Sequence, residues 1–196
     1  MERKLLITGF DPFGGETVNP SWEAVKLLPD RIGDFVLTKL EIPTEFHRAS
    51  AAVLGAAQVL RPQVILCVGQ AGGRAGVTPE VVGINLREAR IADNAGNQPE
   101  NEPVVADGPA AYFATVPVRE MVAAIRKEGL PAGLSFSAGA FVCNDVLYTV
   151  LHSCHGTAVR AGFIHVPFLP EQAKEGAPSM VLAQIVTALT KAIEVL

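Results

Sequence analysis

Short apolar runs alternate with helical patterns along this 196-residue sequence. That alternation restricts the fold more than any single motif. Lys4–Gly9, Val64–Val68 and Ala161–Val166 are nearly unbroken apolar stretches of strand length. A strand apolar on both faces must be covered on both, which is the condition of a parallel sheet between helical layers. Between these runs the spacing predicts helices over Pro20–Leu28, with Asn19 as N-cap and Pro20 at the first helical position, and over Thr44–Leu60, with Thr44 as cap. Pro117–Glu128 puts Val118, Met121, Val122 and Ile125 on one face and ends at Gly129. Val142–His152 and Ser179 to the last residue complete the helices, and Phe35–Leu40, Glu80–Leu86 and Gly133–Ser137 read as further strands. The expectation is an α/β protein, three-layer α/β/α with a mostly parallel twisted sheet, in one domain spanning 1–196. Ligands bind such sheets beyond the carboxyl ends of the strands. The segments 9–19, 69–74, 138–144 and 165–171 are therefore where chemistry is expected. Residues 92–111 form a long polar loop.

Composition narrows the function. Apolar residues make up 49% of the chain and charged residues 18%, which excludes a disordered polymer. A net charge of −4 gives no footprint for nucleic acid or an anionic membrane surface. Met1–Ile7 is too short for a signal-peptide core, and no apolar run reaches membrane-spanning length. Three cysteines do not suggest a disulfide framework. A cytoplasmic protein with reduced thiols is expected.

Cys143 stands where a small-residue turn, Ser137–Ala140, leads into a helix. A helix N-terminus stabilises a thiolate, the nucleophilic form of cysteine. A packed small side chain is the competing account. Cys67 lies mid-strand, and Cys154 sits between His152 and His155 with no second ligand cluster, so packing and a polar helix end explain them better than metal. Of the four histidines, His165 is placed at the end of a buried strand, either as a base or as a satisfied core residue. His47 has no such placement. An imidazole base needs an orienting group. Glu80, at the start of an apolar run, and Asp93, in a turn-forming stretch, are rivals for that part. The glycines of 69–76 lack the spacing of a phosphate loop and instead let backbone approach a ligand. Phe10 and Phe13 flank a turn after a strand and suit a small apolar pocket or the packing beneath the loop.

Several motifs occur in one order: Thr8–Gly15 with Asn19-Pro20-Ser21, Val68–Arg74, Thr78-Pro79-Glu80, Asp93-Asn94 with Gly96–Pro99, Phe141-Val142-Cys143-Asn144, and Gly162–Pro167. Together they resemble the pyroglutamyl peptidase I family of cysteine peptidases. The resemblance implies a phosphorylase/hydrolase-like α/β/α domain, commonly a homotetramer, acting on peptides with N-terminal pyroglutamate and using no metal or cofactor. It implies Glu80, Cys143 and His165 as a triad, choosing Glu80 over Asp93, with Arg90 beside the Cys143 N–H as an oxyanion donor and Asp93 in support. The expected pocket takes in Phe10, Phe13, Asn19, Gln70, Phe141 and Val142, with a Cys143 thiolate attacking the scissile carbonyl. Val81, Ala92, Ala140 and Asp145 depart from the usual pattern, and Asp145 would raise the Cys143 pKa if its carboxylate turned inward. A nucleoside phosphorylase-like enzyme and a non-catalytic ligand-binding module are the alternatives.

Overall fold

A computed structural model describes residues 2–174 and 176–196. Strands β1 (Arg3–Phe10), β3 (Phe35–Ile42), β4 (Val64–Gln70) and β8 (Arg160–Val166) run parallel, in the order β3-β1-β4-β8. Short antiparallel strands close both edges, β2 (Arg31–Ile32) beside β3 and β5 (Thr78–Pro79) beside β8. A hairpin of β6 (Val82–Ile84) and β7 (Ala111–Phe113) stands apart.

Side-chain alternation explains the unbroken apolar runs. Leu5, Ile7, Val64, Leu66 and Val68 pack into one core with helices α1 (Pro20–Leu27), α3 (Val118–Lys127) and α5 (Leu182–Glu194). Leu6, Ile65, Cys67, Ala161 and Phe163 pack into a second core with α2 (Arg48–Leu60) and α4 (Val142–Cys154). Each strand feeds both cores, since successive side chains point to opposite faces. Among the described residues, no helix is long and apolar enough to cross a membrane.

The sequence expectations fail in three places. Helix α2 starts at Arg48, after His47 at φ 63°, and Thr44 caps nothing. The Thr44 N–H instead donates to Asp11 Oδ1 at 2.7 Å, a partner 33 residues away. The strand expected over Glu80–Leu86 is broken: Glu80 lies between β5 and β6 and Leu86 beyond them, because the chain leaves the main sheet to build the hairpin. Residues 133–137 form no strand: beside the 77–80 segment Ser135 makes only an isolated bridge with Glu80, as Ala132 does with Val77.

Strand order sets a switch point between β1 and β4, where open α/β sheets bind ligands. The chain passes from β1 to β3 on one side and then crosses to β4 on the other, so the order reverses between β1 and β4. Their pairing ends at Thr8↔Cys67, whereas β1–β3 runs on to Phe10↔Ile42 and β4–β8 to Gln70↔Val166. Beyond Thr8 and Cys67 the ladder between β1 and β4 stops, so their carboxyl ends, at Phe10 and Gln70, are not paired with each other.

Candidate active site

His165 and Glu80 meet at the carboxyl end of the sheet. His165 Nδ1 donates to Glu80 Oε1 at 2.7 Å, and the acceptor being a carboxylate fixes that tautomer. Glu80 is wholly buried and His165 is 3% exposed. The Glu80 backbone N–H donates to Phe163 O at 2.9 Å, which seats the carboxylate beside β8. Burial would raise the Glu80 pKa, but the hydrogen bond and charge of His165, the Ser135 hydroxyl and the Arg74 guanidinium outweigh it and hold it below the usual carboxylate value. The Ser135 hydroxyl itself donates to Ser137 O at 3.2 Å, and Glu80 Oε2 has no hydrogen-bond partner. Burial lowers the His165 pKa and the Arg74 charge adds to this, while Glu80 opposes them; the result is below 6.5, so the imidazole is neutral at neutral pH.

Cys143 occupies the first turn of α4 and is half-buried. Gly69 and His165 are register partners on neighbouring strands, so their side-chain positions share one face of the sheet. The Cys143 sulfur sits on that face. A Cβ on Gly69 would lie 2.9 Å from Sγ and 2.7 Å from the Phe163 ring, so only glycine leaves room for both. The Phe163 ring in turn lies 4.8 Å from that of His165. The sulfur, Phe163 and His165 thus line the same face at the end of β4 and β8.

The packing also bears on the protonation of the Cys143 thiol at rest. Burial pushes the Cys143 thiol up to about 12, with the Glu80 charge and Cys67 adding to it; Arg74 and the Cys143 backbone N–H oppose without prevailing. One helix terminus cannot match the desolvation of a thiolate set in a dense surround. Asp145 plays no part in this. Its buried carboxylate pairs with Arg87 Nε at 2.7 Å and accepts from Ser50 Oγ at 3.2 Å, facing α2.

The remaining candidates divide into walls and scaffolding. Phe13 and Phe141 are half-buried with ring centroids 6.3 Å apart, and Phe46 meets Phe141 edge-on at 5.2 Å. Phe10 is 2% exposed and packs against Phe163 at 6.2 Å, so of the two readings offered for it, packing beneath the loop is the one that holds. Val142 is buried at the start of α4. Gln70 is half-buried, and its Oε1 accepts from Gln172 Nε2 at 3.1 Å. Asn19 caps α1: its Oδ1 accepts from Ser21 N and Oγ, and its Nδ2 donates to Asp11 O at 2.8 Å. Little of that amide is left for a ligand.

Asp93 does not reach His165. Its carboxylate accepts from the backbone N–H groups of Phe46, Ala95 and Asn97, which ties the 93–97 turn to the aromatic wall. Asn94 Nδ2 donates to Pro12 O at 2.9 Å and so staples the turn carrying Phe13. Arg90 is exposed, and among the described residues no side-chain partner holds it. The long loop is pinned rather than free: Arg87 holds the Pro103 and Val104 carbonyls, Asn85 those of Val105 and Gly108, and Tyr148 that of Pro109. Sequence reasoning missed Arg74 and Asn144 as parts of the site. Asn144, beside Cys143, bonds Ile84 N, Ile84 O and Leu86 O and so locks the start of α4 to the β6 hairpin. Among the described residues no group of His, Cys, Asp and Glu forms a metal site.

The family model described as pyroglutamyl peptidase matches residues 3–196. The chain is 50% identical to the pyrrolidone-carboxylate peptidase of Bacillus amyloliquefaciens, over 96% of this chain and 90% of the relative. It is 47% identical to that of Bacillus thuringiensis (strain Al Hakam), over 98% and 92%. The crystal structure of Bacillus amyloliquefaciens pyroglutamyl peptidase I superposes with a TM-score of 0.95 at 48% identity, covering 99% of this chain and 96% of that one. The pyrrolidone carboxyl peptidase of Thermococcus litoralis gives 0.94 at 36% identity, covering 98% and 92%. This chain therefore belongs to the pyroglutamyl peptidase family of cysteine peptidases.

Proposed function

We propose that this chain removes N-terminal pyroglutamate from peptides, with Cys143 as nucleophile, His165 as general base and acid, and Glu80 orienting the imidazole. The observation that carries this reading is the buried Glu80–His165 hydrogen bond of 2.7 Å at the end of β8, on the sheet face that also receives the Cys143 sulfur. Because the thiol is protonated and the imidazole neutral at rest, proton transfer accompanies attack. As Sγ bonds to the scissile carbonyl carbon, its proton passes to His165 Nε2 and the carbonyl electron pair moves onto oxygen. Glu80, ionised, stabilises the imidazolium that forms. The Cys143 N–H at the start of α4 is an oxyanion donor, and Arg90, exposed and without a side-chain partner among the described residues, is a second. The intermediate collapses, the C–N bond breaks, and His165 returns the proton to the leaving amine. Water, giving a proton to His165, then adds to the thioester; the thiolate leaves, takes that proton back, and pyroglutamate is released.

Specificity is assigned to the carboxyl ends of β1 and β4. Pyroglutamate is a neutral lactam without a free α-amine. In this reading the half-buried rings of Phe13 and Phe141, 6.3 Å apart, supply apolar surface, with Val142 and Phe10 buried, and Gln70 supplies polarity. No carboxylate is needed there to meet an ammonium group. A site that hydrogen-bonds a particular carbonyl rejects an analogue lacking it by orders of magnitude. Hydrolysis of chromogenic pyroglutamyl and prolyl amides tests the pocket: the pyroglutamyl compound is cleaved and the prolyl one is not, and comparable rates would overturn the model. Turnover that required phosphate would favour a phosphorylase instead. A cytoplasmic location and a homotetrameric assembly belong to the same proposal and rest on the family resemblance.

A further inference from the structure

We infer that Arg74 is a positioning residue of this site, holding the Glu80 carboxylate and the loop that leads into Cys143 in one fixed arrangement. The inference rests on the triad proposed above. Arg74 lies in the glycine-rich loop after β4, yet its guanidinium reaches three separate acceptors. Nη1 donates to Thr78 Oγ1 at 2.5 Å and to Glu80 Oε1 at 2.8 Å, and Nη2 donates to Ser137 O at 3.1 Å. Ser137 opens the turn that runs directly into Phe141, Val142 and Cys143. One side chain therefore joins the group that orients the base to the segment that delivers the nucleophile.

Two features make this more than an ion pair at the edge of a cleft. Glu80 Oε1 accepts from both His165 and Arg74, whereas Oε2 is buried without a hydrogen-bond partner. A buried carboxylate with one bare oxygen is driven toward protonation unless a charge opposes it. Arg74 supplies that charge and remains 28% exposed itself, so its own desolvation is modest. The three bonds leave from two nitrogens, Nη1 to Thr78 and Glu80 and Nη2 to Ser137, which a planar guanidinium supplies and a single ammonium does not.

The charged and titratable groups around the site are few. Glu80 and Arg74 face His165, and Glu80, Arg74 and Cys67 face Cys143. Removing the Arg74 charge favours protonation of both Glu80 and His165, and both changes disable the base. It also disfavours the Cys143 thiolate.

The test compares Arg74→Met and Arg74→Lys with the unsubstituted protein. The first readout is the pH profile of kcat/KM on a pyroglutamyl amide; the second is the pH dependence of Cys143 alkylation by iodoacetamide, which needs no turnover. Arg74→Met is expected to move the acidic limb of kcat/KM up by about one pH unit. It is also expected to lower kcat/KM on the order of tenfold to a hundredfold and to slow alkylation at fixed pH. Arg74→Lys is expected to keep the acidic limb in place while losing part of kcat, because it keeps the charge and loses the hold on Ser137. A folded Arg74→Met whose limb and alkylation rate both match the unsubstituted protein would overturn the inference. If Arg74→Met does not fold, an Arg74→Lys protein with undiminished kcat would overturn it equally. Failure of the peptidase reading looks different: the unsubstituted protein itself would not cleave the amide.

Discussion

His165 gives its Nδ1 proton to Glu80 Oε1 over 2.7 Å, and this one bond determines what the other ring nitrogen can do. With Nδ1 occupied as a donor, Nε2 of the neutral ring is an acceptor, the state a general base requires. Glu80→Gln keeps an acceptor oxygen for Nδ1 and removes the charge. We expect kcat/KM to fall by about 10²–10⁴-fold. Because the Glu80 hydrogen bond and charge raise the His165 pKa, the residual activity should titrate at a lower pH than in the unsubstituted protein. A stopped-rate pH profile checks this, and an acidic limb displaced upward would contradict it.

The protonation states of the resting site predict the shape of the unsubstituted profile. The His165 pKa lies below 6.5 and the Cys143 thiol is pushed up to about 12. Activity should therefore rise through a limb below pH 6.5 and stay level across neutral and mildly alkaline pH. Iodoacetamide alkylation of Cys143 should keep accelerating well above pH 9, since the thiolate is scarce throughout. An alkylation rate already at its plateau near pH 7 would indicate a preformed thiolate–imidazolium pair instead.

Stability should fall at high pH through a buried thiol outside the site. Cys67 is 1% exposed in the second core, and burial pushes its thiol from 9.0 up to about 12. A group whose folded pKa is raised adds stability below its unfolded value and loses it as pH climbs from there toward the folded one. The window is therefore pH 9 to 12. Urea unfolding across that range should show a declining free energy, and Cys67→Ala should flatten part of the slope. An unchanged slope in the variant would assign the decline to other groups.

The Arg87–Asp145 pair should be structurally indispensable although it touches no substrate. Both side chains are buried, and Arg87 also holds the carbonyls of Pro103 and Val104. Arg87→Met leaves the Asp145 charge uncompensated, for an expected loss of about 3–5 kcal/mol of unfolding free energy. Denaturant unfolding measures it directly. A loss below about 1 kcal/mol would mean that Asp145 is solvated or repaired by another partner.

What the sequence disclosed and what it hid follow a physical line. The central strands were legible because a run such as Leu5-Leu6-Ile7 feeds two cores at once and cannot be polar on either face. The places of His165 at a strand end and Cys143 at a helix start were legible because such points are marked locally by glycines, small residues and breaks in hydropathy. The long-range polar contacts were not. Thr44 has the side chain of a helix cap, and nothing nearby indicates that Asp11 takes its N–H. Asp93 has the chemistry of an orienting carboxylate, yet three backbone N–H groups of its own turn and of Phe46 absorb it. The Cys143 pKa depends on how densely three segments close around one sulfur, a property no local pattern encodes. Arg74 did leave a signal: an arginine six residues before a carboxylate that heads an apolar run.

The central claim is that the Cys143 sulfur forms the bond to the substrate carbonyl. Its most direct test is turnover of a chromogenic pyroglutamyl amide by the unsubstituted protein and by Cys143→Ser, each with and without prior alkylation. The account predicts turnover that alkylation abolishes in the first protein and none in the second, with both proteins equally folded. Activity that survives in folded Cys143→Ser would contradict it.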